Sequence, residues 1–379
     1  MYRITVHNSL QDIDESEWDS IVPLENAFHG HRAQLFFEQE GLVNWPPRYF
    51  CFRNEQGELV AHATAYLIPT SLVIFSSGIV RSVVDWIRTF WPAFLQPTML
   101  ECGCPISPGN PVCVRGDVDR KLLLKALAKA ADMEASKTNV KFVVIRDFED
   151  NDLPFTQGIT ESGYIQIANL PTTLLQIRWG NFEAYLKDLR TKYRAKVRRG
   201  MTIALRAGLT TKVRDVFAES AEDLVREWQN VHDHADEYAR EELTTEFYAG
   251  IGQGLDGRCR LIEVLQDGQR VAHALAVIDG RLLRWLFFGR KKPMDRDGAY
   301  FLVISAVVRL AIEEQLATVE MGLTTYSPKT DFGAEMIPLW VFVRFRGTIL
   351  GKALPLFVKF FNPVPQIRQR KVFRSTHSS

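Results

Sequence analysis

The chain has 379 residues, is 46% hydrophobic and 24% charged, and carries a formal net charge of +1. That length allows two or three domains, each with its own core, and the composition is that of an ordinary globular chain. Near-zero charge removes any global electrostatic case for nucleic acid or membrane, and no run of 18 or more apolar residues offers a membrane-spanning helix.

Met1 to Val6 reads as an opening strand without signal-peptide character, so a cytoplasmic address is expected. Tyr49-Phe50-Cys51-Phe52 then leads through Asn54-Glu55-Gln56-Gly57 into Val60-Ala61-His62-Ala63-Thr64-Ala65. An apolar run, a polar turn with Gly and a second apolar run make a β-hairpin, because Gly supplies the positive φ of a tight turn. A strand is expected near Leu72 to Phe75. The apolar segment from Trp86 to Leu95 is short and interrupted by Arg88 and Pro92. Cys102, Cys104 and Cys113 lie in a stretch punctuated by Pro105, Pro108 and Pro111. Their spacing is not that of a zinc site, and an odd total of five cysteines argues against a disulfide framework. A helix is predicted from Val118 to Ala135 and a strand over Lys141 to Ile145.

From Lys187 to Arg214 the chain places ten cations against the single acid Asp188. Phe182, Leu186, Leu189, Tyr193 and Val197 recur at helical spacing, which predicts one amphipathic helix capped by Asn181 and ended at Gly208. A surface helix stabilised only for itself mixes charge signs at i, i+4. A cationic face without acids points to an anionic partner, with Arg194, Arg198 and Arg199 as phosphate contacts. His232-Asp233-His234-Ala235-Asp236-Glu237 is a polar cluster on a predicted helix, in which His234 or Asp236 can accept a proton; a solvated helix face explains it equally well.

Leu261-Ile262-Glu263-Val264, Gln266-Asp267-Gly268 and Val271-Ala272-His273-Ala274-Leu275-Ala276 repeat the first hairpin 211 positions later. Strand 281–288 follows, then a loop of Gly289, Arg290, Lys291, Lys292 and Arg296, a helix from Ala299 to Glu314 and a strand at Thr318 to Met321. Helix N-terminal amides fed by a strand and ringed by cations suit a phosphate, with Arg290, Arg296, Gly298 and Ala299 nearest to it; an ordinary strand-to-helix loop capped by Asp297 explains the segment equally well. Beyond the last strand, Gly322 to Ala334 includes Tyr326, able to give a proton to a leaving group, and Lys329, able to stabilise an oxyanion. Tyr326 capping a loop and Lys329 paired with Asp331 are the structural alternatives.

Both halves thus read hairpin, strand, helix, strand. His62 lies 80 residues before Phe142 and His273 lies 46 before Val319, so the first half holds an insertion of 34 residues (80 − 46), placed near 81–117. His62 and His273 share one strand position, which favours a structural role for both. Gly-x-Ser-x-Gly elbows, Walker loops and His-Glu-x-x-His helices are absent from the sequence, which removes the common hydrolase and nucleotide-triphosphatase readings. The fold class is α/β (α+β), with two tandem domains, each a mixed central sheet flanked by helices. They are expected at 1–170 and 171–360, the second carrying the donor site, with a poorly packed basic tail at 361–379.

Three segments carry a family resemblance: Tyr185-Leu186-x-x-Leu189-Arg190-x-Lys192-Tyr193-Arg194-x-Lys196-Val197-Arg198-Arg199, the helix from Gly298 to Glu314, and Thr325-Tyr326-x-x-Lys329-x-x-x-Gly333-Ala334 followed by Pro338-Leu339. The chain resembles the GCN5-related N-acetyltransferase (GNAT) superfamily, and within it the tandem-domain, Fem-like aminoacyltransferases. The resemblance implies two GNAT-like domains and transfer of an acyl or aminoacyl group to a small amine acceptor, without metal or tightly bound cofactor. The donor would be a charged tRNA or a coenzyme A thioester. Arg296-Asp297-Gly298-Ala299 departs from the usual pyrophosphate loop of that superfamily by short spacing and a missing glycine, which weakens the acyl-CoA reading. The basic helix strengthens the aminoacyl-tRNA reading. A non-catalytic RNA- or glycan-binding protein with the same fold is the competing class.

Overall fold

The computed structural model describes residues 2–42, 44–73, 79–233, 241–291, 298–347 and 369–374. In chain order the strands are β1 (Arg3–His7), β2 (Pro47–Arg53), β3 (Leu59–Pro69), β4 (Thr98–Cys102), β5 (Val112–Val114), β6 (Phe142–Phe148), β7 (Ile165–Ala168) and β8 (Thr172–Gln176). They continue as β9 (Leu209–Arg214), β10 (Cys259–Gln266), β11 (Gln269–Asp279), β12 (Leu282–Arg290), β13 (Thr318–Glu320), β14 (Glu335–Ile337) and β15 (Trp340–Phe345).

Among the described residues these form two sheets of the same plan. One runs β1-β2-β3-β4-β6-β15-β7 with β5 beside β3, the other β9-β10-β11-β12-β13-β8-β14. In both, the fourth and fifth strands pair parallel, as β4 with β6 and β12 with β13. The other neighbours along each path pair antiparallel. A parallel pair needs a crossover, and helix Arg120–Lys137 supplies it in the first half as helix Ala299–Glu313 does in the second. The repeat seen in the hairpins therefore extends to the whole sheet.

The sixth place in each sheet breaks the chain order. β8 follows β7 after Asn169, Leu170 and Pro171, yet it pairs with β13 and β14. β15 follows β14 and pairs with β6 and β7. The compact units follow the sheets: the first joins Met1–Leu170 with 338–347, while the second begins at Pro171, runs to Ile337 and includes the described residues after Ile367. Assigning all of 171–360 to one domain places β15 in the wrong sheet.

Each core is one sheet face under its crossover helix. Helix Arg120–Lys137 starts at Asp119, whose carboxylate accepts from the Lys121 and Leu122 amides, and buries Leu123, Leu124, Leu127 and Ala131 on the sheet. Helix Ala299–Glu313 is apolar nearly all round, and the second core closes about it, from Val303, Ile304 and Val307 to Ala274, Ala276 and Val319.

Three expectations are corrected. Leu72 and Val73 lie in a turn, and Ile74 and Phe75 fall outside the described residues; the strand before the first crossover is β4. The insertion lies earlier than 81–117: β3 and β4 are separated by residues 70–97, whereas β11 and β12 are separated only by Gly280 and Arg281, and part of 98–114 is sheet. The basic helix is two helices, Phe182–Asp188 and Thr191–Arg206, because Leu189 is extended and bridges to Phe373 while the Arg190 amide donates to the Val372 carbonyl. Asn181 does cap the first, accepting from the Ala184 amide at 2.8 Å. The described part of the C-terminal tail is accordingly packed, with Val372 buried in the second core.

His62 and His273 hold equivalent places on β3 and β11, and both are fully buried. His62 stacks on Trp18 with centroids 3.6 Å apart, and neither ring nitrogen has a hydrogen-bond partner among the described residues. His273 is fully wired: Nδ1 meets Glu227 Oε2 at 2.8 Å and Nε2 meets the Tyr248 hydroxyl at 3.1 Å. Burial pushes both imidazoles down from their ordinary pKa, with Glu227 opposing that shift at His273. The five cysteines are free and buried, and burial raises the thiols of Cys51, Cys102 and Cys259 to about 12.

Candidate active site

Among the described residues the second sheet opens between β12 and β13. β12 and β13 pair from Leu282 opposite Thr318 to Arg284 opposite Glu320, and there the ladder stops. Past Glu320 the chain turns toward β8: the Met321 amide donates to the Thr173 carbonyl at 2.9 Å, and the Thr173 hydroxyl donates to the Gly322 carbonyl at 2.9 Å. β12 runs on to Arg290, paired with β11 alone among the described residues. Leu275 faces Phe287 and Ala276 faces Trp285, so Leu286 is an extra residue, a bulge that re-aims the strand at the point of divergence. The result is a notch at the carboxyl ends of two central strands, where α/β sheets hold their ligands.

A buried ion network fixes the base of this notch. Arg284 donates to Asp279 and to Glu320, each at 2.8 Å, and the Thr172 hydroxyl donates to the other Glu320 oxygen at 2.7 Å. Asp279 and Glu320 beside Arg284 hold its guanidinium firmly charged despite burial. The walls are Trp285, Tyr300 and Phe288, with Trp285 and Tyr300 centroids 5.5 Å apart.

Lys329 reaches this notch from the short helix Tyr326–Asp331. It is buried, its ammonium donates to the Thr324 carbonyl, and it lies 5.7 Å from the centre of the Trp285 ring. Gly322 stands beside it at φ +76°; a Cβ there would make only ordinary contacts, 3.9 Å from both Nζ and the Trp285 carbonyl, so the backbone turn rather than crowding calls for glycine. The Lys329–Asp331 pair does not form; Asp331 takes Lys196 and Arg370 instead. Tyr326 is half-buried and donates to the Pro171 carbonyl at 3.0 Å, the loop-capping role.

Helix Ala299–Glu313 starts beside the notch. Gly298 is its cap at φ 79°, and Ala299 is buried. Packing explains the glycine without any ligand, since a Cβ at 298 would lie 2.9 Å from the Gly200 carbonyl of helix Thr191–Arg206. Gly200 is constrained in turn, with Phe301 where its Cβ would be. These contacts lay the basic helix against the start of the crossover helix.

On the basic helix the three expected arginines differ. Arg194 donates to the Lys187 carbonyl at 3.3 Å, Arg198 lies 3.8 Å from Glu183, and Arg199 is exposed with no ion-pair partner among the described residues. Lys192 and Arg206, seven residues either side of Arg199, are likewise exposed and without ion pairs among the described residues. Seven residues are nearly two helical turns, so these three cations form one stripe about 21 Å long. The tail extends the same cationic surface. The Arg374 amide donates to the Asp188 carbonyl and the Arg370 guanidinium to Asp331, across the break between the two helices. The tail's sequence shows its charge but not its docking place.

Arg290 ends β12 and is half-buried; its carbonyl accepts from Asn230 at 2.9 Å. Arg296, His234 and Asp236 lie outside the described residues. His232 is the last residue of helix Ala221–His232, its ring against Trp228 at 4.7 Å. Among the described residues no cluster of His, Cys, Asp and Glu could hold a metal, and no helix is long and apolar enough to cross a membrane.

A family model described as FemAB-like, for peptidoglycan biosynthesis and recognition, matches residues 9–345. The chain belongs to the FemAB-like family. Solved structures share the fold of this FemAB-like chain. FemX superposes with a TM-score of 0.58 at 13% identity, over 92% of this chain and 99% of that one. A tandem GNAT protein from the clavulanic acid biosynthesis pathway gives 0.53 at 10% identity, over 92% and 99%. L-PGS from Bacillus licheniformis gives 0.52 at 12%, over 87% and 96%. Family and fold together give a FemAB-like chain with the two-sheet, tandem architecture of these structures. By sequence it is 26% identical over 313 residues to a Mycobacterium tuberculosis protein named as a candidate 8-amino-7-oxononanoate synthase 2, covering 81% of this chain and 41% of that one. The chain thus spans about two fifths of the curated relative it matches.

Proposed function

We propose that this protein transfers an aminoacyl group from a charged tRNA to the amine of a small acceptor, forming an amide. The stripe of Lys192, Arg199 and Arg206, exposed and without ion-pair partners among the described residues, carries the reading. Unpaired cations spread along about 21 Å of helix match an extended phosphate backbone better than the compact phosphates of one coenzyme. The docked segment with Arg370, Lys371 and Arg374 adds to that surface.

In the reaction the neutral acceptor amine attacks the ester carbonyl of the donor. The N–C bond forms, the C–O bond to the tRNA ribose breaks, and a proton from the amine ends on the leaving oxygen. The catalytic demand is alignment and charge stabilisation rather than a covalent enzyme intermediate. Lys329 is the group assigned to the developing oxyanion, held beside Trp285 at the notch. Tyr326 keeps the loop in place through Pro171, and the amine proton leaves through water or through His234 or Asp236.

An acyl-CoA donor is the second reading, favoured by the small residues Gly298 and Ala299 at a helix start beside the notch and by the fold shared with the tandem GNAT protein, which was solved without AcCoA. Mixing the purified protein with amine acceptors and either mixed aminoacyl-tRNA or acetyl-CoA separates the two. Amide formed from tRNA supports the proposal; amide formed from acetyl-CoA alone establishes the second reading.

A further inference from the structure

Residues 70–97, between β3 and β4, fill a place that two residues fill in the second sheet, so the common fold does not require them. Within them helix Ile79–Arg88 and the turn after it display Val83, Trp86, Phe90 and Trp91 at 49%, 65%, 78% and 60% exposure. A chain that can bury its large apolar side chains elsewhere gains nothing in folding from leaving two tryptophans and a phenylalanine in water.

The helix is divided lengthwise. At 100° per residue Val83, Trp86 and Phe90 fall on one face, while Arg81, Asp85 and Arg88 fall on the opposite one. Val84, on the edge between them, is buried, and from the charged face Arg88 ties the helix to the rest of the insertion, donating to the Phe94 carbonyl at 3.0 Å and the Ser71 hydroxyl at 2.8 Å. The aromatic face is left outward. Trp86 and Phe90 brace one another edge to face at 5.6 Å, and Trp91 leans on Phe94 at 5.4 Å.

We propose that this insertion seats the protein on an anionic lipid bilayer surface. Tryptophan and phenylalanine on one face with arginine on the other is the pattern of a helix lying in the headgroup plane. The charged residues of 70–97 are Arg81, Asp85 and Arg88, with the two arginines 3.8 and 3.9 Å from Asp85; the net of +1 suits an anionic surface, and none of the three lies on the aromatic face. At ten residues the helix is too short to span a bilayer and long enough to lie on one. This seating is independent of the donor, so the two proposals fail separately.

The test is co-sedimentation of the full chain with vesicles of phosphatidylcholine alone or with 30% phosphatidylglycerol, for the natural protein and for Trp86→Ser/Phe90→Ser/Trp91→Ser. All three side chains are exposed, so the variant is expected to keep its circular dichroism spectrum and unfolding midpoint. The expected result is binding to the anionic vesicles and at least a tenfold loss in the variant. No vesicle binding by the natural protein, or equal binding by the variant, overturns the proposal. So does concentration-dependent self-association, without vesicle binding, that the variant abolishes, which would assign the face to a second copy of this chain.

Discussion

The carbonyl oxygen of Gly200 occupies the space where a side chain on Gly298 would begin, 2.9 Å from a Cβ placed there. That contact, with Gly298 at φ 79°, joins the cationic helix to the start of the crossover helix beside the notch. Gly298→Ala meets both left-handed strain and the collision, and about 2–4 kcal/mol of destabilisation is expected. Urea unfolding reads it; a change below about 0.5 kcal/mol would show that the two helices are not held this closely.

This pair also marks how far the sequence can be read. The hairpins were legible because Gly57 and Gly268 stand in turns between runs that need no distant partner, and helix Ala299–Glu313 was legible because it is apolar nearly all round. Partnership between distant segments was not. The break at Leu189 depends on Phe373, and nothing in the local periodicity, which runs unbroken through Leu189, announces it. The exchange of β8 and β15 was equally hidden, since short apolar strands do not say which sheet they enter. At the candidate site, Lys329 is proposed from its place after a central strand, whereas Lys192 and Arg206 enter the proposal only because Glu183 and Asp331 engage Arg198 and Lys196.

Arg284 stands between Asp279 and Glu320 at the base of the notch. Arg284→Met would leave two buried carboxylates without their cation, a loss of about 3–5 kcal/mol. Arg284→Met with Glu320→Gln and Asp279→Asn should recover most of it. Unfolding midpoints of the two variants check this, and equal losses in both would mean that burial of charge is not what the network resolves.

Stability should fall on mild acidification. His62 and His273 have lowered folded pKa values, so below the unfolded value near 6.5 the unfolded chain binds more protons than the folded one. Their contribution is present above about pH 6.5 and is lost as pH falls toward the folded values, at no more than about 1.4 kcal/mol per pH unit for each imidazole. His62→Leu should flatten the curve between pH 6.5 and 5, as measured by urea melts at half-unit steps. An unchanged slope would show that His62 is not held neutral by burial.

Lys329→Met keeps the stem that packs near Trp285 and removes the ammonium. Turnover should fall about a hundredfold or more while donor affinity stays within about twofold, the pattern of a group that acts in the transition state. Parallel loss of donor binding or of the fold would instead make Lys329 the tether of the Thr324 loop.

The most direct measurement is the salt dependence of donor binding by the natural protein and by Lys192→Ala/Arg199→Ala/Arg206→Ala. Aminoacyl-tRNA affinity should fall steeply with salt, and the substitutions should reduce the slope of log K against log salt by about 2, as three lost phosphate contacts require. Acetyl-CoA bound tightly by both proteins, with tRNA bound by neither at physiological salt, would contradict the account and return the cationic stripe to solvent.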